Sequence, residues 1–105
     1  MITAGEGKYK VWLRVEELSD NRLYILGGGE RPHIGSVVVK EPGRDPVLVK
    51  LEGHYDHLVL EPIAVKACDK YKTTVVAVGG VHVDNASEDE IKKLVENCRE
   101  LEKCI

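Results

Sequence analysis

The spacing of apolar residues first changes near residue 60, and that change restricts the fold more than any other feature. Before it the pattern has a period of two. Val11, Leu13 and Val15 alternate with Lys10, Trp12, Arg14 and Glu16, as in a strand with one buried face. Ser19-Asp20-Asn21 is turn chemistry, and Arg22 to Leu26 follows as a hairpin partner that should end at Gly27-Gly28-Gly29. Ile34 to Lys40 is a third strand. Pro42, Gly43, Asp45 and Pro46 mark another turn, and Val47 to Leu51 is a fourth strand. Four consecutive strands with short turns predict an antiparallel meander.

Beyond residue 60 the period becomes helical. Leu60, Ile63, Ala64, Ala67, Cys68 and Tyr71 recur at three and four residues. Pro62 has no N–H and is harmless only in the first helical turn, so the helix is expected to begin near Glu61. Gly53-His54-Tyr55-Asp56-His57 is then expected to lie in the preceding loop. Thr73 to Val78 is the most β-branched segment and predicts a central fifth strand. Ser87 and Glu90 form a capping box ahead of the stripe Ile91, Leu94, Val95, Cys98 and Leu101. The predicted fold is α+β: a mixed, largely antiparallel sheet of about five strands in the order ββββαβα, with two helices packed on one face.

Composition narrows the function classes. A chain of 105 residues with 43% hydrophobic and 31% charged residues fits one domain, residues 1–105, with a core of its own. A net charge of -3 offers no electrostatic footprint for nucleic acid. No apolar run is long enough to span a bilayer, and the segment Met1 to Tyr9, with Gly5 and Gly7, does not resemble a secretory signal. Cys68, Cys98 and Cys104 form no CxxC pair, which argues against a disulfide framework or a zinc knuckle and makes the cytoplasm the expected compartment. The absence of glutamine beside abundant Lys, Glu and Val leans toward a thermophilic source; the cysteines lean the other way.

Three glycine-flanked loops hold the four histidines: Gly27 to Gly35 with His33, Gly53 to His57 with His54 and His57, and Gly79 to Asn85 with His82. Each starts where a strand ends, so all three can meet at one edge of the sheet and form a polar pocket. The run Gly27 to Gly29 can present backbone N–H groups to a phosphate, with Arg31 adding a fork of donors; a wide turn needing positive φ explains the same glycines. His54, His57, His82 and Asp84 have ligand chemistry suited to zinc, manganese or iron. A capping or turn role explains each lone histidine equally, and Asp84-Asn85 can simply shape the entry into the last helix. No serine or cysteine stands beside a histidine in a nucleophile setting. Trp12 and Tyr24 suit core or dimer contacts as well as a stacking platform.

Taken in order, Gly28-Gly29-x-x-Pro32-His33-Ile34-Gly35, Gly53-His54-x-Asp56 and Gly80-Val81-His82-x-Asp84-Asn85-Ala86 resemble the LpdD-like family, the small D subunits associated with UbiD-type decarboxylases. The resemblance extends from about Gly27 to the last helix. It implies a non-catalytic chaperone that carries prenylated FMN (or FMN) and serves a UbiD-type decarboxylase. The cofactor-binding positions it implies are Gly28, Gly29, Arg31, His33, Gly35, His54, His82, Asp84 and Asn85. A divalent metal bridging the flavin phosphate and the imidazoles of His33, His54 and His82 fits the same picture. His57 lies outside the pattern. The few aromatics weaken the case for ring stacking, and a flavin held between subunits would favour a homodimer. Two readings from other classes remain. One is a metal-dependent hydrolase or lyase using His54, His82 and Asp84; the other is an assembly subunit without a ligand.

Overall fold

Val11, Leu13, Tyr24, Leu26, Val38, Val75 and Ala77, all from strands, each keep 2% or less of their surface exposed. They form one face of a sheet, onto which the helical stripes Leu60, Ile63, Ala64, Ala67, Cys68 and Leu94, Cys98, Leu101 pack as a single core. A computed structural model describes residues 1–105. The elements are β1 (Ile2–Ala4), a 3-10 turn at Gly7–Tyr9, β2 (Val11–Leu18), β3 (Asn21–Gly28), β4 (Ser36–Lys40), β5 (Val47–Lys50), α1 (His57–Tyr71), β6 (Val75–Gly79) and α2 (Glu88–Lys103). No helix is long and apolar enough to cross a membrane.

The α+β class with both helices on one face agrees with the sequence pattern, but the sheet has six strands in the order β1-β2-β3-β6-β4-β5. The additional strand, β1, pairs antiparallel with β2 from Ile2 to Ala4; three residues are too few to display a period. The expected meander does not form. β6 inserts between β3 and β4, parallel to β3 and antiparallel to β4, and divides the four early strands into two hairpins. Its valines favour a strand position with partners on both sides. The β5–α1–β6 connection is a crossover that lays α1 over β4.

Two boundaries moved for identifiable reasons. β3 continues through Gly27 and Gly28 instead of stopping there, because the Trp12 ring covers Gly27; a Cβ on Gly27 would stand 2.2 Å from Cζ2 of that ring. A glycine inside a strand is accommodated by an aromatic neighbour across the ladder. Helix α1 begins at His57 rather than near Glu61, and Pro62 lies inside it. The lost bond is the one Leu58 C=O would have accepted, and Leu58 is exposed, so water can reach that end of the helix. Burial of Leu60, Ile63, Ala64, Ala67 and Cys68 offsets an interior proline that costs about 3 kcal/mol. Tyr71 leaves the expected stripe, and the Arg22 guanidinium stacks 3.7 Å from its ring centre.

The capping box of α2 is present as expected. Ser87 Oγ accepts from Glu90 N, and Ser87 N donates to Glu90 Oε1. The Glu90 carboxylate also accepts from Tyr9 Oη at 2.8 Å and pairs with Lys8 at 3.0 Å. The Ser87 backbone bond, with Lys8 and Tyr9 added, lowers its pKa from 4.5 to about 2. A depressed carboxylate stabilises the fold above its unfolded pKa, and that contribution disappears as pH falls through the folded one. Thermal melts should therefore show wild type above Glu90→Gln at neutral pH, with the gap closing between pH 4.5 and about 2. A gap that stays constant over that range would mean the charge contributes nothing.

Candidate functional site

The segment after β3 runs alongside the segment after β6. Gly29 and His82 form a parallel bridge, Glu30 N and Arg31 N donate to His82 C=O, and His33 N and Gly35 N donate to Gly80 C=O and Gly79 C=O. This closeness requires glycine at position 29, where φ is +73° and a Cβ would stand 2.3 Å from His82 O. The second loop, Gly53 to Asp56, enters from the start of α1. The three imidazoles that the sequence singles out do gather at one rim. The His33 ring lies edge-on to His54 with centroids 4.6 Å apart, and 5.8 Å from the ring of His82.

Asp56 organises this rim, although the sequence reading gave it no role beyond its place in a motif. It is 9% exposed. One carboxylate oxygen accepts from Val81 N at 3.1 Å, and the other lies 3.1 Å from His33 Nε2 and 3.8 Å from His54 Nδ1. Its carboxylate fits between Gly35 and Gly80; a Cβ would come within 1.9 Å of it from Gly35 and within 2.7 Å from Gly80. The signal for Asp56 was its position, two residues after His54 and directly before the true helix start. Misplacing that start hid it. His57 is helical and its Nδ1 is buried without a partner; it does not line the cleft described below.

Ligand atoms of His33, His54 and Asp56 all lie within 4.8 Å of one another, a spread that small ligand movements could close around one ion. His82 and Asp84 fall outside that trio. His82 Nε2 instead meets Asp84 Oδ1 at 3.0 Å, and Arg31 pairs with the same oxygen. The His82 bond, reinforced by Arg31, holds the Asp84 carboxyl below its usual range. Glu30, also overlooked in the sequence, accepts from Asp84 N at 2.9 Å. The glycine run differs from a free anion nest. Gly29 N donates to Lys10 C=O, and the amides of Glu30 and Arg31 are taken by His82 C=O. These glycines therefore shape the loop, and Arg31 is its only cationic side chain.

The rim opens onto a cleft of about 390 Å³ between the start of α1, the loop after β6 and α2, within the size range of small-molecule sites. His33, His54, Asp56, His82 and Asn85 line the polar side; Leu58, Val59, Val83, Ile91, Leu94 and Val95 line the apolar one. Ile91 and Leu58 are exposed at its mouth, so part of the helical stripe predicted as core serves as wall. Tyr24 is core, whereas Trp12 lies over Gly27; neither lines the cleft. Cys98 does, but burial, with the Asp56 charge adding to it, pushes its thiol up to about 12. A thiol held protonated in this way is a poor nucleophile.

No curated protein matches the chain. The family model described as prenylated flavin chaperone LpdD-like domain matches residues 5–105, a span that contains all three converging loops and both helices. With the His33–His54–His82 rim and its apolar cleft inside the matched region, the chain belongs to the prenylated flavin chaperone LpdD-like family.

Proposed function

We propose that this protein is a non-catalytic carrier of prenylated FMN that loads or protects the cofactor for a UbiD-type decarboxylase. The observation that carries this reading is the pairing of an apolar cleft of about 390 Å³ with a rim of three imidazoles and Asp56. A phosphorylated flavin has the same two-part character, an apolar ring system at one end and an anionic phosphate at the other. The walls from Val59, Val83, Leu94 and Val95 would take the ring. Imidazoles at the rim would take the phosphate end, and Arg31 would add a charged donor beside it. The trio His33, His54 and Asp56 has the donor chemistry to hold a divalent ion, which would supply positive charge for that phosphate. The protonated state of Cys98 supports a binding role over a thiol-based enzyme.

Anaerobic titration with reduced prenylated FMN, followed by absorbance with and without added zinc or manganese, tests the reading. Saturable binding is expected. His33→Ala should weaken it about 10-fold or more, as removal of one ligand or charged hydrogen-bond partner does. Absence of binding under both conditions overturns the proposal.

A further inference from the structure

At the rim of the cleft, the Asp84 carboxylate occupies the place where a ligand anion would meet its donors. One oxygen, Oδ1, faces both His82 Nε2 at 3.0 Å and the Arg31 guanidinium. Arg31 is the one Lys or Arg in the three converging loops. A guanidinium and an imidazole aimed at a single oxygen are the donors that recognise a phosphate oxygen. The Asp84 side chain makes no bond to α2, whose entry is capped by Ser87 and Glu90. Exposure also separates it from Asp56, which is 9% exposed and fixed by Val81 N. The side chains of Arg31 and Asp84 are 66% and 53% exposed, and an ion pair this open to water holds weakly. What is held is the Asp84 backbone. Its N–H donates to Glu30 Oε1 at 2.9 Å, and Gly29 and His82 form a backbone bridge. The carboxylate can swing aside while the loop that carries it stays in place.

We infer that Asp84 is an internal counter-anion: it fills the phosphate position of the empty carrier, gives way to the cargo, and lowers the cargo's affinity so that it can be handed on. The inference rests on the carrier reading above for the identity of the cargo. A phosphate monoester carries about −1.5 to −2 charge near neutral pH and presents three acceptor oxygens, so it displaces a single carboxylate from both donors. Once displaced, Asp84 stays tethered beside the bound phosphate. There it repels the ligand and competes for Arg31 at an effective concentration that no free anion reaches. A residue that only supported binding would weaken it when removed. Neutralising this one should strengthen it.

Inorganic phosphate tests the inference without any flavin. It is titrated into the full chain with EDTA present and followed by the nitrogen NMR resonances of the Arg31 guanidinium and the His82 ring. Asp84→Asn should bind phosphate about 10-fold more tightly than wild type. It should also release reduced prenylated FMN about 10-fold more slowly in stopped-flow displacement. Asp84→Ser keeps the backbone bond to Glu30 and should show the same gain in phosphate affinity. Adding Arg31→Met to Asp84→Asn should abolish that gain, which ties it to the freed guanidinium. Variants that bind phosphate no better than wild type, or a gain that survives Arg31→Met, overturn the inference. A chain that gains phosphate affinity yet binds no prenylated FMN would keep the counter-anion and lose the carrier reading.

Discussion

Asp56→Ala should weaken cofactor binding about 10- to 100-fold, the usual effect of removing a side chain that ligates or orients ligating histidines. It should also destabilise the fold by about 2 to 3 kcal/mol, because Val81 N–H would be left in a nearly closed site without its acceptor. The residue stands at the start of α1 and is 9% exposed, and its carboxylate accepts from Val81 and meets His33 and His54. Asp56→Asn separates the two roles. The amide keeps a carbonyl oxygen for Val81 but carries no charge for a cation, so urea melts should stay near wild type while binding falls. An Asp56→Ala protein that binds prenylated FMN as tightly as wild type would remove this residue from the site.

The second large effect belongs to Gly79. At φ +126° it occupies backbone space unfavourable to any other residue, and a Cβ there would lie 1.9 Å from Leu26 O. Leu26 is its partner on β3, so the clash is backbone against backbone and no rotamer relieves it. Gly79→Ala should cost at least about 3 kcal/mol by combining dihedral strain with a broken ladder. The loss should spread to the site, because Gly35 hydrogen-bonds to Gly79 C=O and the His82 loop starts just beyond. Equilibrium denaturation checks this; a midpoint close to that of wild type would show that the strands can separate without penalty.

Much of the architecture follows from local rules. Val11 and Leu13 point inward on a period of two, Leu60 to Cys68 bury a helical stripe, and Ser87 with Glu90 closes the capping box. These depend on neighbours within four residues and can be read directly. Where local rules misled, a distant contact had prevailed. Trp12 kept Gly27 in a strand, and the core contacts of Leu60 and Ile63 sustained a helix through Pro62. The location of the site was legible because its histidines stood in glycine-flanked loops. Its organiser was not: the roles of Asp56 depend on Val81 and His33, each more than twenty positions away in sequence.

The linear order of residues was sufficient to determine which faces are apolar, where α2 begins and that His33, His54 and His82 stand in loops, though it wrongly left His57 outside the helix. Only the tertiary structure decided that β6 enters between β3 and β4, and this insertion carries the His82 loop to Gly29 and His33. The reason is physical. Spacing along the chain encodes the orientation of a side chain relative to its own backbone, whereas strand order depends on which distant pairings together bury the most apolar surface, and no local period records that choice.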